Sequence, residues 1–303
     1  MAEAAAPVSI TRIPDPAEPV PAISIPALGI LVGGLALWWG STLAYIGGVW
    51  PWPVSTLLNA VASYVLFTVA HDASHHSLST SAAANNWLGR IATAFFAPHA
   101  GFRTWRYIHM QHHRFTNHDD GSDPDHYTNR GPVWQAPLRW LTIDLWYMVF
   151  YLPRVSSRPR GERVELALTW AVIFGASIAA IATGHLFDLI VLYYLPVRLA
   201  VMFLGFAFDY LPHHGLHDTP QQDRLKTTRN RVGAERVLSP VLLFQNYHLV
   251  HHLHPLVPFH RYLAVWWRNE EAYLAGEPAL STVRGRPLTS EEYRRLRERA
   301  AHR

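Results

Sequence analysis

Long apolar stretches alternate with polar, histidine-rich stretches along this chain. Runs with few or no charged residues cover residues 25–48 and 54–71, and two more cover residues 164–186 and 188–210. Each run is close to the roughly 20 residues that an α-helix needs to cross the ~30 Å hydrocarbon layer of a membrane. The pattern therefore predicts four transmembrane helices, arranged as two tight hairpins.

The charges between these runs indicate how the helices are oriented. Residues 71–163 contain ten arginines, and residues 211–303 contain fourteen lysines and arginines, whereas the two hairpin loops contain neither residue type. Because basic residues are retained on the cytoplasmic side, we expect both polar regions and both termini to face the cytoplasm. No cleaved signal peptide is expected, since no basic segment leads into a short apolar one at the N-terminus.

Two shorter segments of the first polar region are apolar and aromatic. Residues 91–101 are too short to span a membrane, and residues 132–153 contain Arg139 and Asp144 among several aromatic residues. We expect both to be helices that lie in the membrane interface. Arg198 is an isolated charge within the fourth apolar run. It is expected to bond nearby carbonyl groups or reach outward; the alternatives are that it anchors a substrate or fixes helix packing.

Composition supports an integral membrane protein. Half of the residues are hydrophobic and only 16% are charged, whereas soluble domains carry about 25% charged residues. The predicted fold class is an all-α integral membrane protein, with four transmembrane helices in two hairpins, interfacial helices and a cytoplasmic, histidine-rich helical cap. We expect a disordered N-terminal lead (residues 1–22), a membrane domain (23–265, with the cap at 71–163 and 211–265) and a charged tail (266–303).

Histidines are concentrated in three short motifs within the polar regions. The motifs are His71-Asp-Ala-Ser-His75, His109-Met-Gln-His112-His113 and His248-Leu-Val-His251-His252. Spacings of three and four residues place side chains on one face of a helix, and neutral imidazole is a common metal ligand. A looser pair, His213 and His217, follows the fourth apolar run. All of these histidines are predicted to meet on the cytoplasmic side of the membrane.

The number and kind of candidate ligands limit the metal chemistry. The chain has no cysteine, which excludes disulfides, cysteine-ligated zinc and iron–sulfur clusters. A structural zinc ion needs four ligands, whereas this chain offers nine or ten clustered imidazoles. That number favours two metal ions with open coordination positions. A ligand set made of nitrogen alone suits non-haem iron that binds O₂.

The order of the motifs resembles the membrane fatty acid desaturase and hydroxylase superfamily, in particular the bacterial acyl desaturases and the related carotenoid ring hydroxylases. Four segments within roughly residues 25–265 carry the resemblance: His71–His75, His109–Asn117, Asp123–His126 and Asn246–Pro255. The resemblance implies two non-haem iron ions as cofactors, O₂ as the oxidant and a lipid substrate that enters from the bilayer. Since the sequence has no haem, flavin or iron–sulfur signature, the electrons are expected from an external donor of the ferredoxin or cytochrome type.

The site residues follow from the motifs and from the resemblance. The candidate metal ligands are His71, His75, His109, His112, His113, His213, His217, His248, His251 and His252. In the superfamily, a histidine four residues after an asparagine or histidine completes the site, a pattern that implies His217 with His213 as its partner. Asp72, Asp123, Asp125 and Asn246 are expected to support the ligands through hydrogen bonds, with a turn or a helix cap as alternatives for the last three. His76 is expected to lie outside the ligand set.

Three functions remain open on the sequence. The first is O₂-dependent desaturation of a fatty acyl lipid, and the second is hydroxylation of a carotenoid ring, as in β-carotene, at the same site. Motifs do not separate these two, because the outcome depends on how the substrate is positioned. The third, a membrane haem protein or metal carrier, is disfavoured since the apolar runs contain no histidine in their interiors. The expected location is a bacterial inner membrane, and no nucleic-acid partner is expected.

Overall fold

The computed structural model describes residues 13–301 as a mostly helical protein, in which four helices are long and apolar enough to cross a membrane. In chain order, the helices are α1 (Ile25–Ile46), α2 (Trp52–Ser74), α3 (Ala82–Thr93), α4 (Gly101–Phe115), α5 (Ala136–Tyr151), α6 (Arg160–Ala182), α7 (Leu186–His213), α8 (Glu235–Val241), α9 (His248–Leu253), α10 (Tyr262–Arg268), α11 (Glu270–Leu274) and α12 (Ser290–Ala301). The strands are β1 (Asn230–Val232), β2 (Leu280–Thr282) and β3 (Pro287–Leu288). The predicted fold class, an all-α integral membrane protein with four spans in two hairpins, is confirmed.

The four spans differ in how much of their surface the protein covers. In the most apolar part of α2, 56% of the residues are buried inside the protein, whereas the corresponding value for α6 is 11%. Helix α1 packs closely on α2, because a Cβ atom at Gly34 would lie only 2.9 Å from Leu66 Cγ. Helix α2 therefore forms the centre of the bundle, and α6 leaves most of its surface for lipid.

Two spans extend further than the apolar runs predicted. Helix α2 continues to Ser74 rather than ending near residue 71, and α7 continues to His213 rather than ending near residue 210. The polar residues in these last turns are buried, with His71 and His213 only 1% and 5% exposed, so the helix backbone does not end where the hydropathy falls. Both histidines are consequently held by the last turns of spans, at the same end of the bundle.

The apolar segment at residues 91–101 is not one interfacial helix, so that prediction was wrong. Helix α3 ends at Thr93, α4 begins at Gly101, and the residues between them form turns. Pro98 lacks the backbone donor that a helix interior needs. Gly101 has φ of +65°, a value that glycine adopts without steric cost. The break allows α4 to start in a new direction.

Helix α5, which occupies most of the segment predicted at residues 132–153, is fastened to α7 by an ion pair. The Arg198 guanidinium of α7 donates to both carboxylate oxygens of Asp144 on α5, and to the Leu141 carbonyl oxygen at 3.0 Å. The Asp144 side chain is 5% exposed and the Arg198 side chain 30%. The Arg198 partners therefore belong to a neighbouring helix, which agrees with the helix-packing alternative rather than with bonds to nearby carbonyl groups of its own helix.

Replacing Asp144 by leucine is expected to destabilise the fold, because the Arg198 cation then lacks its partner. Breaking a fully buried pair costs about 3–5 kcal/mol, and the partial exposure of Arg198 lowers the expected loss to about 2 kcal/mol. Thermal unfolding of the detergent-purified chain measures this loss. The double variant Asp144→Leu with Arg198→Leu removes both charges and should recover most of the stability; a double variant as unstable as the single one would contradict the explanation.

Helix α7 is irregular in two places. Wide turns of the π type occur at Ile190–Tyr194 and at Gly205–Tyr210. Turns of this kind change the direction of the side chains that follow and are frequent at functional sites. A Cβ atom at Gly205 would lie 2.9 Å from Trp140 Cα, so the glycine allows α5 to approach α7 closely. The second wide turn comes just before His213.

The residues after α7 form a single cap. Strand β1 pairs in parallel with β2, and β2 pairs antiparallel with β3, so segments from both sides of the expected boundary at residue 265 share one sheet. Trp266 and Tyr293 are fully buried, and the indole Nε1 donates to the tyrosine hydroxyl at 2.9 Å. The region expected to be a separate charged tail (266–303) thus packs into the cap through β2, β3 and the buried side chain of Tyr293.

Residues 13–22 pack against this cap, although the sequence predicted a disordered lead over residues 1–22. The Glu18 carboxylate accepts hydrogen bonds from Arg261 and Arg268, each at 2.7 Å. Arg268 also donates to the Pro16 carbonyl oxygen at 2.6 Å. These contacts join the segment before α1 to cap residues that are more than 240 positions later in the sequence. The rest of the predicted lead, residues 1–12, lies outside the described residues.

Candidate metal centre

Nine of the ten candidate histidines converge at one end of the helix bundle and form two clusters. Within each cluster, the candidate ligand nitrogens lie within 4.8 Å of one another. The first cluster consists of His71, His75, His109, His113 and His251, and the second of His112, His213, His248 and His252. A further group joins His112 to Asp123 and Asp125. The structure therefore separates the candidate ligands into sets of five and four.

Helical geometry divides two of the sequence motifs between the clusters. In α4, His109 and His113 are four residues apart and both face the first cluster, whereas His112 faces the second. In α9, His248 and His252 are likewise four apart and face the second cluster. Residues four apart share a helix face, and adjacent residues point about 100° apart. One motif can therefore supply ligands to two neighbouring ions.

The first cluster is held together by short contacts between ring nitrogens. His251 Nε2 lies 3.0 Å from His71 Nε2 and 2.9 Å from His113 Nε2. His75 Nε2 lies 2.9 Å from His109 Nε2. Their side chains come from α2, its C-terminal cap, α4 and α9, so the cluster also ties the span to the cap.

In the second cluster, the outer ring nitrogens are fixed by hydrogen bonds. His112 Nδ1 donates to Asp123 Oδ1 at 2.9 Å, and His248 Nδ1 donates to Gln245 Oε1 at 2.7 Å. His213 Nδ1 donates to the Thr227 carbonyl oxygen at 3.3 Å. A neutral ring that carries its proton on Nδ1 has a lone pair on Nε2. In their neutral form, all three rings therefore present a lone pair to the inside of the cluster, the arrangement that supporting residues impose on metal ligands.

The spacing of the inner nitrogens suits shared metal ions. Two nitrogens bound about 2.1 Å from one ion at octahedral or tetrahedral angles lie about 3.0 to 3.4 Å apart, and the Nε2 pairs here are separated by 2.9 to 3.3 Å. His252 Nε2 lies close to Nε2 of both His112 and His248. A neutral Nε2 atom either donates one hydrogen bond or accepts one with its single lone pair. His252 Nε2 therefore cannot be hydrogen-bonded to both neighbours at once, and a cation shared by the three nitrogens explains their spacing better. The residues present therefore fit a pair of metal ions.

Burial keeps most of the cap histidines in the form that binds metals. Desolvation, followed by repulsion from neighbouring histidines, holds the pKa values of His109, His113, His251 and His252 well below the ordinary value. These imidazoles are neutral at pH 7. For His112, burial lowers the pKa, but the carboxylates of Asp125 and Asp123 outweigh burial and raise this pKa to about 9. Asp123 and Asp125 thus favour a positive charge at His112, and a bound cation would replace the proton on its Nε2.

The predicted supporting residues differ in what they contact. Asp123 holds His112, and Asp125 Oδ1 accepts a hydrogen bond from the Tyr147 hydroxyl at 2.7 Å. Asp72 lies 3.6 Å from His71 Nδ1 and accepts a hydrogen bond from the Phe259 backbone at 3.1 Å. Asn246 instead donates to the Arg231 carbonyl oxygen at 3.4 Å. It therefore fastens the third motif to β1 and forms no hydrogen bond with a clustered histidine among the described residues.

His217 lies outside both clusters, so the structure does not bring this predicted ligand to the site. Helix α7 ends at His213, and the chain leaves the helix at His214, whose ψ is 126°. His213 is buried in the second cluster, while His217 is exposed beyond the end of the helix. His213 therefore occupies the place that the resemblance implied for His217. The residue four positions before it, where the superfamily pattern has asparagine or histidine, is Asp209.

His76 also lies outside both clusters. Its Nε2 lies 2.7 Å from an Arg106 guanidinium nitrogen, and its backbone has φ of +59°. The left-handed backbone at His76 turns its ring away from that of its neighbour His75. The ring is therefore a hydrogen-bond partner of Arg106 rather than a candidate ligand.

A largely apolar cavity adjoins both clusters. Its walls include ligand candidates from each cluster, His71 and His109 from the first and His112 and His248 from the second. The apolar lining residues include Phe67, Phe96, Trp105, Val201, Leu204 and Phe208. Phe208 of α7 lines the cavity, whereas Phe203 of the same helix is 39% exposed on the outer surface. A hydrophobic molecule in this cavity would lie beside histidines of both clusters.

Replacing Asp123 by asparagine is expected to weaken metal binding at the second cluster. The amide is a poorer acceptor for the His112 Nδ1 hydrogen, and loss of such a supporting bond typically costs 10- to 100-fold in metal affinity or activity. Iron titration of the purified, metal-depleted variant measures the loss. Asp120→Asn, at an exposed position in the same loop, is the matched control and should bind like the parent chain. Equal affinities for both variants would contradict the role of Asp123.

Several residues around the site were missed by the sequence reasoning. Gln245 and Thr227 hold His248 and His213, and the Tyr262 hydroxyl lies 2.9 Å from His251 Nδ1. Asn230 Oδ1 accepts from the Leu249 backbone at 3.0 Å and so satisfies the start of α9. Gln245 lies three residues before His248, a spacing that could have suggested its role. The other three lie far from their partners in sequence, so no local signal indicated them.

Comparison with known proteins places the chain in a family. The sequence model described as "Fatty acid desaturase" matches residues 47–283. A beta-carotene ketolase of Paracoccus sp. strain N81106 is 28% identical over 278 residues, which cover 87% of this chain and 99% of the relative. A second beta-carotene ketolase, of Paracoccus sp. strain PC1, is 31% identical over 206 residues, covering 67% of this chain and 71% of the relative.

A plant enzyme extends the range of these relatives. An omega-3 fatty acid desaturase of the endoplasmic reticulum of Nicotiana tabacum is 25% identical over 266 residues, covering 79% of this chain and 68% of the relative. The family match spans more than half of the chain and includes the three histidine motifs. The chain therefore belongs to the fatty acid desaturase family and is an oxygen-dependent oxidoreductase of the membrane.

Proposed function

We propose that this chain is a di-iron fatty acid desaturase, which introduces a double bond into the hydrocarbon chain of a membrane lipid. The observation that carries the proposal is the apolar cavity whose walls include histidines of both clusters. A hydrocarbon chain in that cavity lies beside two metal positions while aromatic side chains surround it. O₂ is the oxidant, and the electrons come from an external donor of the ferredoxin or cytochrome type.

The residues of the chain have distinct tasks in this reaction. Bound in the two clusters, iron ions would use O₂ and electrons to remove hydrogen from an unactivated C–H bond. Asp123 and Gln245 keep the Nδ1 protons of His112 and His248 in place, so that Nε2 faces inward. Phe67 and Trp105 exclude water from the cavity and fix the path of the substrate. Exclusion of water protects a reactive centre from side reactions.

The proposed orientation places the clusters on the cytoplasmic side of a bacterial inner membrane. The arginine-rich polar regions lie at the same end of the spans as the histidines, and the hairpin loops at the other end have no basic residue. Basic residues are retained in the cytoplasm, where reduced electron carriers are found. Labelling of single cysteines, introduced in a hairpin loop and in the cap of this cysteine-free chain, tests the orientation.

Oxidation of a carotenoid ring is the second candidate. It is favoured by the match to the Paracoccus beta-carotene ketolase, which covers 99% of that relative. The same clusters serve either reaction, because both start with removal of hydrogen from carbon. What differs is whether a second hydrogen is removed or oxygen is added, and this depends on how the cavity positions the reacting carbon.

Product analysis in two hosts separates the candidates. The full chain is expressed in a host that makes β-carotene and in a host that makes saturated acyl lipids, with the His251→Ala variant as the inactive control. New double bonds in the acyl lipids, absent with the variant, are expected. Oxygenated carotenoid together with unchanged acyl lipids would overturn the desaturase proposal in favour of the second candidate. No product in either host, with iron bound, would count against both.

A further inference from the structure

A groove follows the first turns of α6 on the outer surface of the protein, and we call it the α6 groove. Its apolar part lies between α3 and α6, and its polar part lies between α4 and the start of α6; the two parts share Asn86 and Arg103. Among residues 13–301, none lines both this groove and the cavity beside the histidine clusters. The α6 groove is therefore a second site, separate from the candidate metal centre.

The apolar part of the groove is open to the hydrocarbon layer. Val164, Leu168 and Val172 line it at four-residue spacing, so they form a stripe that leads from the start of α6 into the membrane. All three side chains are exposed in the isolated chain. Trp87 of α3, also exposed, stands at the mouth, and tryptophan is enriched where membranes meet water. A hydrocarbon chain can therefore lie along α6 with its polar end near α3.

The polar part of the groove has more cations than anions. Its charged lining residues are Arg103, Arg106, Arg158 and Glu162. Glu162 already accepts hydrogen bonds from Arg158 at 2.9 and 3.0 Å. Arg106 lies 2.7 Å from the His76 ring and forms no ion pair with a carboxylate among residues 13–301. The Arg106 guanidinium group therefore has donors left for an anion in the groove.

The other arginines of the groove are ordered by their surroundings. The Glu165 carboxylate lies 3.4 Å from Arg103 Nε and also accepts from the Arg103 backbone at 2.9 Å. The Arg103 guanidinium group lies against Gly161, where a Cβ atom would overlap with it. The Arg158 guanidinium group stacks on the Tyr107 ring, 3.5 Å from its centre. Donors that are held in place before binding lose less entropy when a ligand arrives.

The two parts of the groove together restrict the chemistry of a ligand. Guanidinium groups bind phosphate oxygens with matched geometry, and the apolar part accepts an acyl chain, so the combination fits a phospholipid. The ammonium group of a zwitterionic headgroup finds no free carboxylate here, because Glu162 and Glu165 are both bonded to arginines. Arg160 and Arg163 add exposed positive charge at the start of α6. A headgroup with a net negative charge is therefore favoured.

We propose that the α6 groove binds one anionic phospholipid from the leaflet on the side of the histidine clusters. Its phosphate accepts hydrogen bonds from Arg106 and Arg103, and one acyl chain lies along α6. The lipid is a bound partner rather than the substrate, so the inference does not depend on which molecule is oxidised. The opposite face of α4 carries His109 and His112, so the lipid stabilises the helix that holds these candidate ligands.

A titration with two lipids tests the proposal. The iron-loaded full chain is placed in nanodiscs of dioleoylphosphatidylcholine, and dioleoylphosphatidylglycerol is introduced in steps. The unfolding temperature should rise with the anionic lipid, and native mass spectrometry should find one such lipid retained per chain. Arg106→Gln should need about tenfold more anionic lipid for the same rise, because a hydrogen bond between charged groups is lost. Arg106→Lys keeps the charge and should lie between the two.

Arg163→Gln is the matched control, since it removes one charge from an exposed position of α6 that does not line the groove. It should respond like the parent chain. Equal unfolding temperatures in both lipids, or an unchanged response in Arg106→Gln, would overturn the proposal. So would an equal loss of response in Arg163→Gln, which would assign the effect to overall charge. Inorganic phosphate that gives the same rise in pure phosphatidylcholine nanodiscs would replace the lipid by a free anion and overturn it as well.

Discussion

Replacing His213 by alanine is expected to empty the second cluster and abolish turnover, whereas replacing His217 is expected to do neither. His213 is buried among the rings of His112, His248 and His252, and its Nε2 has no hydrogen-bond partner among the described residues. Loss of a supporting residue costs about 10- to 100-fold, so loss of a direct ligand should lower activity by more than about 100-fold.

The two variants are matched, since both remove an imidazole from the same short segment. Iron per chain and product per hour are measured for each purified variant. Because His217 is exposed and outside the clusters, its variant also controls for changes in expression and membrane insertion. Full activity in His213→Ala together with loss of iron in His217→Ala would reverse the assignment and restore the ligand that the sequence pattern implied.

Filling the cavity is expected to stop turnover while leaving the metal centre intact. Leu204 is 6% exposed and lines the cavity, so Leu204→Trp places an indole where the substrate lies. Extra volume in a well-packed site is poorly accommodated, and activity should fall by tenfold or more. Iron content should not change, because no ligand is touched.

Met202→Trp is the matched control for this prediction. Met202 lies two residues earlier in the same helix but is 36% exposed on the outer surface, so an indole there meets lipid rather than substrate. Activity and iron content are measured in both variants. Undiminished activity in Leu204→Trp would show that the substrate reaches the metals by another path.

The sequence was most informative where local patterns decide the structure. The four spans follow from apolar runs, and the two-cluster arrangement of His109, His112 and His113 follows from helical spacing. The choice between His213 and His217 depended on where α7 ends. Hydropathy does not show that end, because the last turns of the helix are polar and buried. Helix α2 likewise continues past the end of its apolar run, so His71 of the first motif lies inside the last turns of the helix.

Contacts between distant segments could not be read from the sequence. Arg198 is isolated in its own helix, and its partner Asp144 lies 54 residues away. Glu18 meets Arg261 and Arg268 across more than 240 residues, which is why a segment of disordered composition packs on the cap.

The central claim, that nine histidines form a di-iron centre, is tested most directly by iron analysis of the purified full chain. Iron per chain is determined chemically, and Mössbauer spectroscopy of the ⁵⁷Fe-labelled protein reports the ligands and the number of sites. The account predicts two non-haem iron ions per chain, bound by nitrogen ligands, and a loss of at least one of them in His213→Ala. A single iron, a haem spectrum, or full activity without iron would contradict it.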